Sequence, residues 1–183
     1  MNSRKQLMRI SLCESLRELM LHYPFEKITI KNICNETGVI RATFYNYFVD
    51  KYDCLSQIVY LDFVETVFKQ HQHLDIDDLI YELLKIIAAN KEFYRIALSI
   101  RDSAEINHIL NDNLKLFLNN YLVAHDIKTD GNKQIFSEYY SYSLAFLINR
   151  WLLSDYNAEV SEIYEVYHIV ENTSFNQVFA SKK

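Results

Sequence analysis

The chain has few of the residues that interrupt regular structure, since its 183 residues include only two Gly and one Pro. Gly and Pro mark most turns and loops, so their scarcity favours long helices joined by brief polar connections. The sequence also lacks internal repeats and low-complexity segments. Its length fits one or two small domains with a real hydrophobic core. We therefore expect an all-α fold.

Secretion and membrane signals are missing as well. The sequence has no secretory signal and no apolar run near 18 residues. Its three cysteines, an odd number, are Cys13, Cys34 and Cys54. Each falls on an apolar helical position, as small buried thiols do. These features predict a reduced, soluble, cytoplasmic protein without a membrane span.

Motifs of common enzymes and metal sites are absent too. The sequence has no Gly-rich phosphate loop, nucleophile elbow, HExxH motif or paired-cysteine motif. His71 and His73 lie two residues apart and would point in different directions on a helix, which is poor geometry for chelating a metal. We expect no enzyme activity, no cofactor and no metal site.

Charge is distributed unevenly along the chain. The net charge of −5 argues against non-specific adhesion to nucleic acid. Residues 1–53 carry eight Lys and Arg against six Asp and Glu, a balance of +2, whereas the remaining 11 basic and 18 acidic residues give −7. A mildly basic N-terminal head on an acidic body favours docking on DNA through the head alone.

The most informative segment is residues 29–51, which read TIKNICNETGVIRATFYNYFVDK. Ile30, Ile33 and Cys34 recur at helical spacing behind Thr29, a residue suited to an N-cap, and Gly38 can end that helix in the left-handed conformation. A second helical pattern then covers residues 41–48. Small, basic and aromatic side chains face outward from it, and on a DNA duplex such groups find phosphate oxygens and base edges.

This segment resembles the helix-turn-helix of the TetR family of transcriptional regulators. The positions in register with the family pattern are Thr29, Ile33, Gly38, Val39, Ala42, Thr43, Tyr45, Phe48 and Lys51. One position departs from it, because Ile40 stands where the family usually has a polar residue that caps the recognition helix. A missing cap should cost on the order of 1 kcal/mol of local stability and remove one phosphate contact.

The resemblance implies roles in DNA binding for eight residues of the head. Phosphates would be held by Thr29, Tyr45, Tyr47 and Lys51, and base edges would be read by Arg41, Ala42, Thr43 and Asn46. Arg41 is the strongest single candidate for specificity, since a bidentate Arg–guanine contact discriminates by roughly 1–3 kcal/mol. For Thr29 a plain N-cap explains the residue equally well.

Two domains follow from the pattern: a helix-turn-helix DNA-binding domain over residues 1–49 and a helical regulatory and dimerisation domain over residues 50–183. We expect one helix from Asp50 towards His71 to connect them without a flexible linker. Five more helices are predicted over about residues 75–89, 91–100, 103–124, 133–154 and 158–179.

The 14 Tyr and 11 Phe supply aromatic area that suggests cavities, an extensive interface, or both. Candidates for an apolar ligand pocket are Phe63, Phe93, Tyr94, Phe117, Tyr121, Tyr142 and Trp151, although for any one of them ordinary core is the simpler alternative. The helix over residues 133–154 is apolar on more than one side, as buried helices are. In TetR-like proteins the last two helices form a four-helix dimer interface, so we expect a homodimer.

These inferences lead to two hypotheses. The first is a homodimeric TetR-like repressor that binds a pseudo-palindromic operator on double-stranded DNA and responds to a small-molecule effector in the C-terminal domain. The second is a regulator or co-activator whose C-terminal domain is controlled by a partner protein. The segment YYSYSLAFLINRWLLSD (residues 139–155) resembles the TetR subgroup with a compact C-terminal region, which includes dihydroxyacetone-kinase regulators.

Overall fold

The structure is a computed structural model that describes residues 3–128, 132–154 and 158–172. Every regular element in these ranges is helical, which confirms the all-α prediction. The helices are α1 (Ser3–His22), α2 (Ile30–Thr37), α3 (Arg41–Tyr45), α4 (Lys51–Tyr60, Leu61–Phe68 and Lys69–His71 in one run), α5 (Ile76–Ala89), α6 (Lys91–Leu98), α7 (Ser103–Ala124), α8 (Lys133–Leu153) and α9 (Val160–Asn172). A single 3-10 turn, Phe25–Lys27, joins α1 to α2.

The head consists of α1, α2 and α3 packed on the start of α4. Its centre is formed by fully buried apolar side chains, among which Leu16, Ile33, Phe44 and Leu55 come from the four different helices. Each expels water from one side of its helix, and this shared burial holds the short α2 and α3 in place. The head is therefore a three-helix unit with a helix-turn-helix, as predicted.

α4 runs without a break from the head into the body, as the sequence predicted. Asp50 caps its start by accepting from the backbone N–H groups of Tyr52 and Asp53 at 2.8 and 2.9 Å. Its middle section, Leu61–Phe68, is a π-helix, and the Lys69 N–H donates to the carbonyl of Val64 five residues earlier. The wider turn was not predicted, and such segments are frequent at functional sites.

The body is a bundle in which α7 packs on α4 and α8, α5 packs on α9, and α6 bridges α1 and α8. Buried side chains form one cluster that extends from Leu12 in α1 to Tyr167 in α9. The helix predicted over residues 103–124 has the expected bounds, and α6 ends two residues earlier than expected, at Leu98. The predicted continuation of the last helix to residue 179 lies outside the described residues. Among the described residues, no helix is both long and apolar enough to cross a membrane.

Candidate DNA-binding motif and effector cavity

The helix-turn-helix is fixed by local hydrogen bonds at both ends of α2. The Asn32 backbone N–H donates to the Thr29 hydroxyl at 3.2 Å, and the Thr29 N–H donates to the Asn32 side-chain oxygen at 2.9 Å, which completes a reciprocal cap. At the other end Gly38 has φ 74°, and the Val39 N–H donates back to the carbonyl of Cys34 at 2.8 Å. These contacts set the sharp turn into α3.

α3 has no side-chain cap at its N-terminus. Ile40 occupies the N-cap position with extended backbone angles, and its side chain is 72% exposed. An exposed isoleucine at this position accepts no hydrogen bond from the free amides of α3. These amides therefore remain open to an anion such as a DNA phosphate.

The outer face of α3 carries the side chains predicted to meet DNA. Phe44 and Phe48 are buried beneath it, and Tyr45 is 51% exposed. The Arg41 guanidinium lies 3.4 Å from the Tyr45 hydroxyl, so the two side chains form one exposed polar group. Ala42 and Asn46 are also exposed, and Thr43 is half-buried.

α3 is shorter than the sequence pattern predicted. The helix ends at Tyr45, Asn46 is its C-cap residue, and Tyr47 is half-buried in the turn that follows. The structure thus brings Arg41, Ala42 and Tyr45 together on one exposed helical face. It places Tyr47 beside the core ring of Phe48, at 6.5 Å between ring centroids.

Lys51 has contacts within the head that the sequence did not indicate. Its ammonium donates to the backbone carbonyls of Phe25 and Ile28, at 2.6 and 3.0 Å, and lies 4.3 Å from the centroid of the Phe25 ring. Burial of the side chain lowers the pKa of Lys51. These contacts tie α4 to the α1–α2 connection and give Lys51 a structural role, while its contact with a DNA phosphate stays a prediction.

Thr29 likewise has a structural role. Its hydroxyl and its backbone N–H are both engaged with Asn32 in the cap of α2, which is the alternative that the sequence left open. Two exposed cations that the motif did not single out, Lys27 and Lys31, lie just before and within the first turn of α2. Their charge and their position at a helix start were the available signal.

Most of the predicted pocket residues belong to the core. Phe63, Phe93, Tyr94, Phe117 and Trp151 are each at most 3% exposed and fill the space between helices, whereas Tyr142 is 58% exposed on the outside of α8. Tyr121 alone among the seven lines the apolar cavity described below. The other six do not line it, because a helical pattern indicates only which face is inward, and the packing of several helices decides where space is left.

A mostly apolar cavity of the body, which we call the apolar cavity, has a volume of about 250 Å³ and lies where α5, α7, α8 and α9 meet. Its walls are mostly apolar and aromatic. The lining residues are Ile76, Asp77, Leu118, Tyr121, Leu122, Ile127, Phe136, Ser137, Tyr140, Leu144, Tyr167, Glu171 and Asn172. A small apolar chamber with a few polar groups is the usual form of a ligand site.

Two carboxylates face this cavity. The Tyr167 hydroxyl lies 3.5 Å from a carboxylate oxygen of Asp77, whose other oxygen lies 3.4 Å from the His168 ring. Glu171 and the Tyr140 hydroxyl influence each other, since burial and the charge of Glu171 raise the pKa of Tyr140. Burial raises the pKa of the Glu171 carboxyl, and the charge of Asp77 adds to that rise.

A second polar cluster, which we call the junction cluster, consists of Arg17 (α1), Asp62 (the π segment of α4), Asn90 (between α5 and α6) and Tyr94 (α6). One Arg17 nitrogen donates to both Asp62 oxygens at 2.8 and 3.0 Å, and another donates to the Asn90 side chain at 3.0 Å. The Tyr94 hydroxyl donates to Asp62 at 2.6 Å. Burial and the Asp62 charge raise the pKa of Tyr94, which keeps this donor protonated. The cluster joins the head, the connecting helix and the body.

Comparison with known families agrees with this architecture. A model described as bacterial regulatory proteins of the tetR family matches residues 12–58, and one described as a transcriptional regulator C-terminal region matches residues 75–173. The chain belongs to the TetR family. Its fold is therefore that of a bacterial transcriptional regulator with an N-terminal DNA-binding region.

Solved structures of TetR-type regulators share the fold at low sequence identity. The dihydroxyacetone kinase operon activator DhaS is 17% identical, with a TM-score of 0.65 over 90% of this chain and 95% of that one. A TetR transcriptional regulator from Streptococcus agalactiae is 18% identical (TM-score 0.63, 92% and 96% covered), and the fatty acid degradation regulator FadR from Bacillus halodurans is 15% identical (TM-score 0.57, 93% and 97% covered). No curated protein sequence matches the chain.

The last two helices of this TetR-family chain present an apolar surface, which we call the outer stripe. It consists of Ile135, Tyr139, Tyr142, Phe146 and Leu153 of α8 and Val166, Ile169 and Val170 of α9, each between 47% and 69% exposed. The sequence predicted that α8 is apolar on more than one side. The α8 residues of the outer stripe form one of these sides, and another side enters the core, where Leu144 and Trp151 are buried. An exposed apolar surface of this extent is typical of an interaction site.

Proposed function

We propose that this TetR-family protein is a homodimeric repressor whose two heads bind a pseudo-palindromic operator. A small molecule bound in the body modulates its affinity for DNA. The observation that carries the proposal is the exposed face of α3, where Arg41 and Tyr45 stand together on a helix fixed by the turn at Gly38. On this face the Arg41 guanidinium and the Tyr45 phenol point to solvent. A DNA groove would supply hydrogen-bond acceptors for them.

Arg41, Ala42, Thr43 and Asn46 are proposed to read base edges, and Tyr45 to position the head on phosphates. The free amides at the start of α3 and the exposed Lys27 and Lys31 add positive potential beside this face. The acidic body, with −7 over residues 54–183, would be repelled from the duplex, so docking occurs through the head.

Dimerisation is proposed through the outer stripe, since α8 and α9 leave their apolar side chains exposed in the single chain. Burying Phe146 and Tyr142 against a second copy would bring two stripes together around a two-fold axis. A two-fold dimer presents its α3 helices to successive major grooves, which explains the requirement for a pseudo-palindromic operator.

Communication between body and head is proposed to pass through the junction cluster. Asp62 lies in the π segment of α4, and its partners Arg17 and Tyr94 come from the head and from α6. A ligand in the cavity that favours one packing of α5 and α7 against α4 would shift the population of head separations. Repression is relieved if the distance between the two heads in the ligand-bound dimer no longer fits the spacing of the operator half-sites.

Selection from random duplexes tests this proposal. We expect wild-type protein to enrich a pseudo-palindromic sequence and the Arg41→Ala, Tyr45→Ala double variant to enrich none. The matched control is Tyr23→Ala, which removes a tyrosine 57% exposed at the end of α1 and should enrich the same sequence as wild type. Failure of the wild type to enrich any sequence, or full activity of the double variant, would overturn the proposed DNA-reading role.

Sedimentation of the full chain tests the dimer. Phe146→Glu places a charge in the outer stripe and should convert a dimer into a monomer with unchanged helical content. Val123→Glu is the control, because Val123 is 80% exposed on α7 and lies outside the stripe. A wild-type monomer, or a dimer that Phe146→Glu leaves intact, would contradict the interface. Binding of a different protein to the stripe would instead support control by a partner protein.

A further inference from the structure

The charged side chains that line the apolar cavity are acids. Its thirteen described lining residues include two acids, Asp77 and Glu171, and none of these thirteen is a Lys or an Arg. Asp75 and Asp78 add negative charge at the same end of α5. His168 faces Asp77 at 3.4 Å from the exposed side of α9, and it offers a positive charge only when its ring is protonated. The described lining of the cavity therefore carries two acidic groups and no permanent cation.

The negative charge at this end of α5 affects the pKa values of neighbouring tyrosines. Burial raises the pKa of Tyr121 and of Tyr164, and the carboxylates of the α5 start raise both further. Glu171 is subject to the same environment, since burial raises its pKa and the charge of Asp77 disfavours a second anion. A positive charge placed between Asp77 and Glu171 would relieve this repulsion in a site of low dielectric.

The remaining walls suit an apolar group. Phe136, Tyr140, Tyr121 and Tyr167 present rings to the cavity, and Leu118, Leu122 and Leu144 complete the lining. Aromatic faces attract organic cations through their quadrupoles, most strongly where water is excluded. A hydrated metal ion would find few oxygen ligands here, and among the described residues no group of three metal-binding side chains comes together.

We propose that the cavity binds a small lipophilic organic cation, an alkyl or aryl group bearing a quaternary or protonated amine, with Asp77 and Glu171 as its counter-charges. The inference rests on the proposed function, in which the body binds an effector, and it adds the chemical class of that effector. An anion of the same size would be repelled by both carboxylates. A neutral molecule would fill the apolar space and bring no counter-charge to the two carboxylates.

Calorimetric titration of the full-length protein without DNA tests the proposal. The probes are phenyltrimethylammonium, its neutral isostere tert-butylbenzene, and benzenesulfonate. We expect the cation to bind about tenfold or more tighter than the isostere, and benzenesulfonate to bind weakest. Equal binding of the cation and the isostere, or tightest binding of the sulfonate, would overturn the assignment.

Variants locate the effect in the cavity. The Asp77→Asn, Glu171→Gln double variant should lose the tenfold preference for the cation while still binding tert-butylbenzene, which shows that the chamber persists. The matched control, Asp112→Asn with Glu165→Gln, removes one exposed acid each from α7 and α9, which also line the cavity, and should keep the preference. Should the double variant misfold, Glu171→Gln alone gives the answer, because a preference unchanged in that variant overturns the role of Glu171.

Because these titrations contain no DNA, their outcome is separate from that of the duplex selection. A protein that binds the cation and selects no duplex sequence retains the ligand assignment and loses the proposed regulatory function. A protein that selects an operator and shows no preference for the cation retains the regulatory function and loses the ligand assignment.

Discussion

Two clusters of partly buried charge occur in this protein, and they differ in whether their charges balance. In the junction cluster Arg17 faces Asp62 at 2.8 Å, with both side chains no more than 15% exposed, and a phenol and an amide satisfy the remaining groups. In the cavity Asp77 and Glu171 are both lining residues, and the described lining contains no lysine or arginine. The charges of the junction cluster therefore balance, whereas those of the described cavity lining do not.

The difference separates two roles for buried charge. A pair with all its partners in place favours a single arrangement of the elements that carry it, and removal of one member leaves the other uncompensated. An unbalanced pair of acids instead raises the energy of the empty state and can be neutralised by a ligand. We therefore assign the junction cluster to holding α1, α4 and α6 together, and the cavity to binding.

The largest effect is expected from Asp62→Asn. This change leaves the Arg17 guanidinium partly buried without its counter-charge, and it should lower the free energy of unfolding by about 3 kcal/mol. Unfolding in urea at neutral pH gives the value. The control is Glu18→Gln, which removes an exposed carboxylate from α1 beside His22 and should change stability by less than about 0.5 kcal/mol. Equal losses of stability in the two variants would show that the Arg17–Asp62 pair contributes no more than an exposed surface charge does.

A smaller loss is expected from Tyr94→Phe. The change deletes the hydroxyl that donates to Asp62 at 2.6 Å and keeps the ring that stacks on Phe63. Loss of a hydrogen bond to a charged acceptor should cost about 1.5–3 kcal/mol, towards the lower end because Asp62 retains Arg17. Tyr142→Phe, at an exposed phenol of α8, is the matched control and should be neutral in the same urea titration. A neutral Tyr94→Phe would mean that Asp62 does not depend on this donor.

The head was predictable from sequence because its contacts are local. The cap of Thr29 by Asn32 spans three residues, and the turn at Gly38 follows from one residue with φ 74°. The structural contacts of Lys51 could not be predicted, because its partners, the carbonyls of Phe25 and Ile28, lie 26 and 23 residues away. A helical pattern does not indicate a pairing over such a distance. A cation at a helix start instead suggests a phosphate contact, because phosphates bind at helix N-termini.

The cavity and the junction cluster could not be predicted, since each depends on several helices at once. The apolar pattern of α8 indicated a helix that is apolar on more than one side, and the structure shows that one of these sides is buried and another is exposed. Which aromatic rings enclose space depends on how α5, α7, α8 and α9 meet, and that is decided by packing across the whole chain. The π segment of α4 likewise has no local marker in its sequence.

The smallest effect is expected from Glu171→Gln, and it should depend on pH. Burial raises the pKa of Glu171 in the folded protein, so the native state binds this proton at higher pH than the unfolded chain does. Wild-type stability is therefore reduced as pH rises from the unfolded pKa, about 4.3, through the folded pKa, and the reduction persists above that window. Gln cannot ionise and avoids the loss.

The variant should accordingly be more stable than wild type at neutral pH, and the two should converge as pH falls towards 4. Thermal unfolding across this range measures the difference, and Glu165→Gln on the same helix controls for the change in net charge. A bound cation offers the sharper version of the test, because it should stabilise ionised Glu171 and shrink the gap between wild type and variant at neutral pH. If the stability difference between wild type and variant stays constant with pH, ionisation of Glu171 does not destabilise the folded protein. The contrast between the cavity and the junction cluster would then fail.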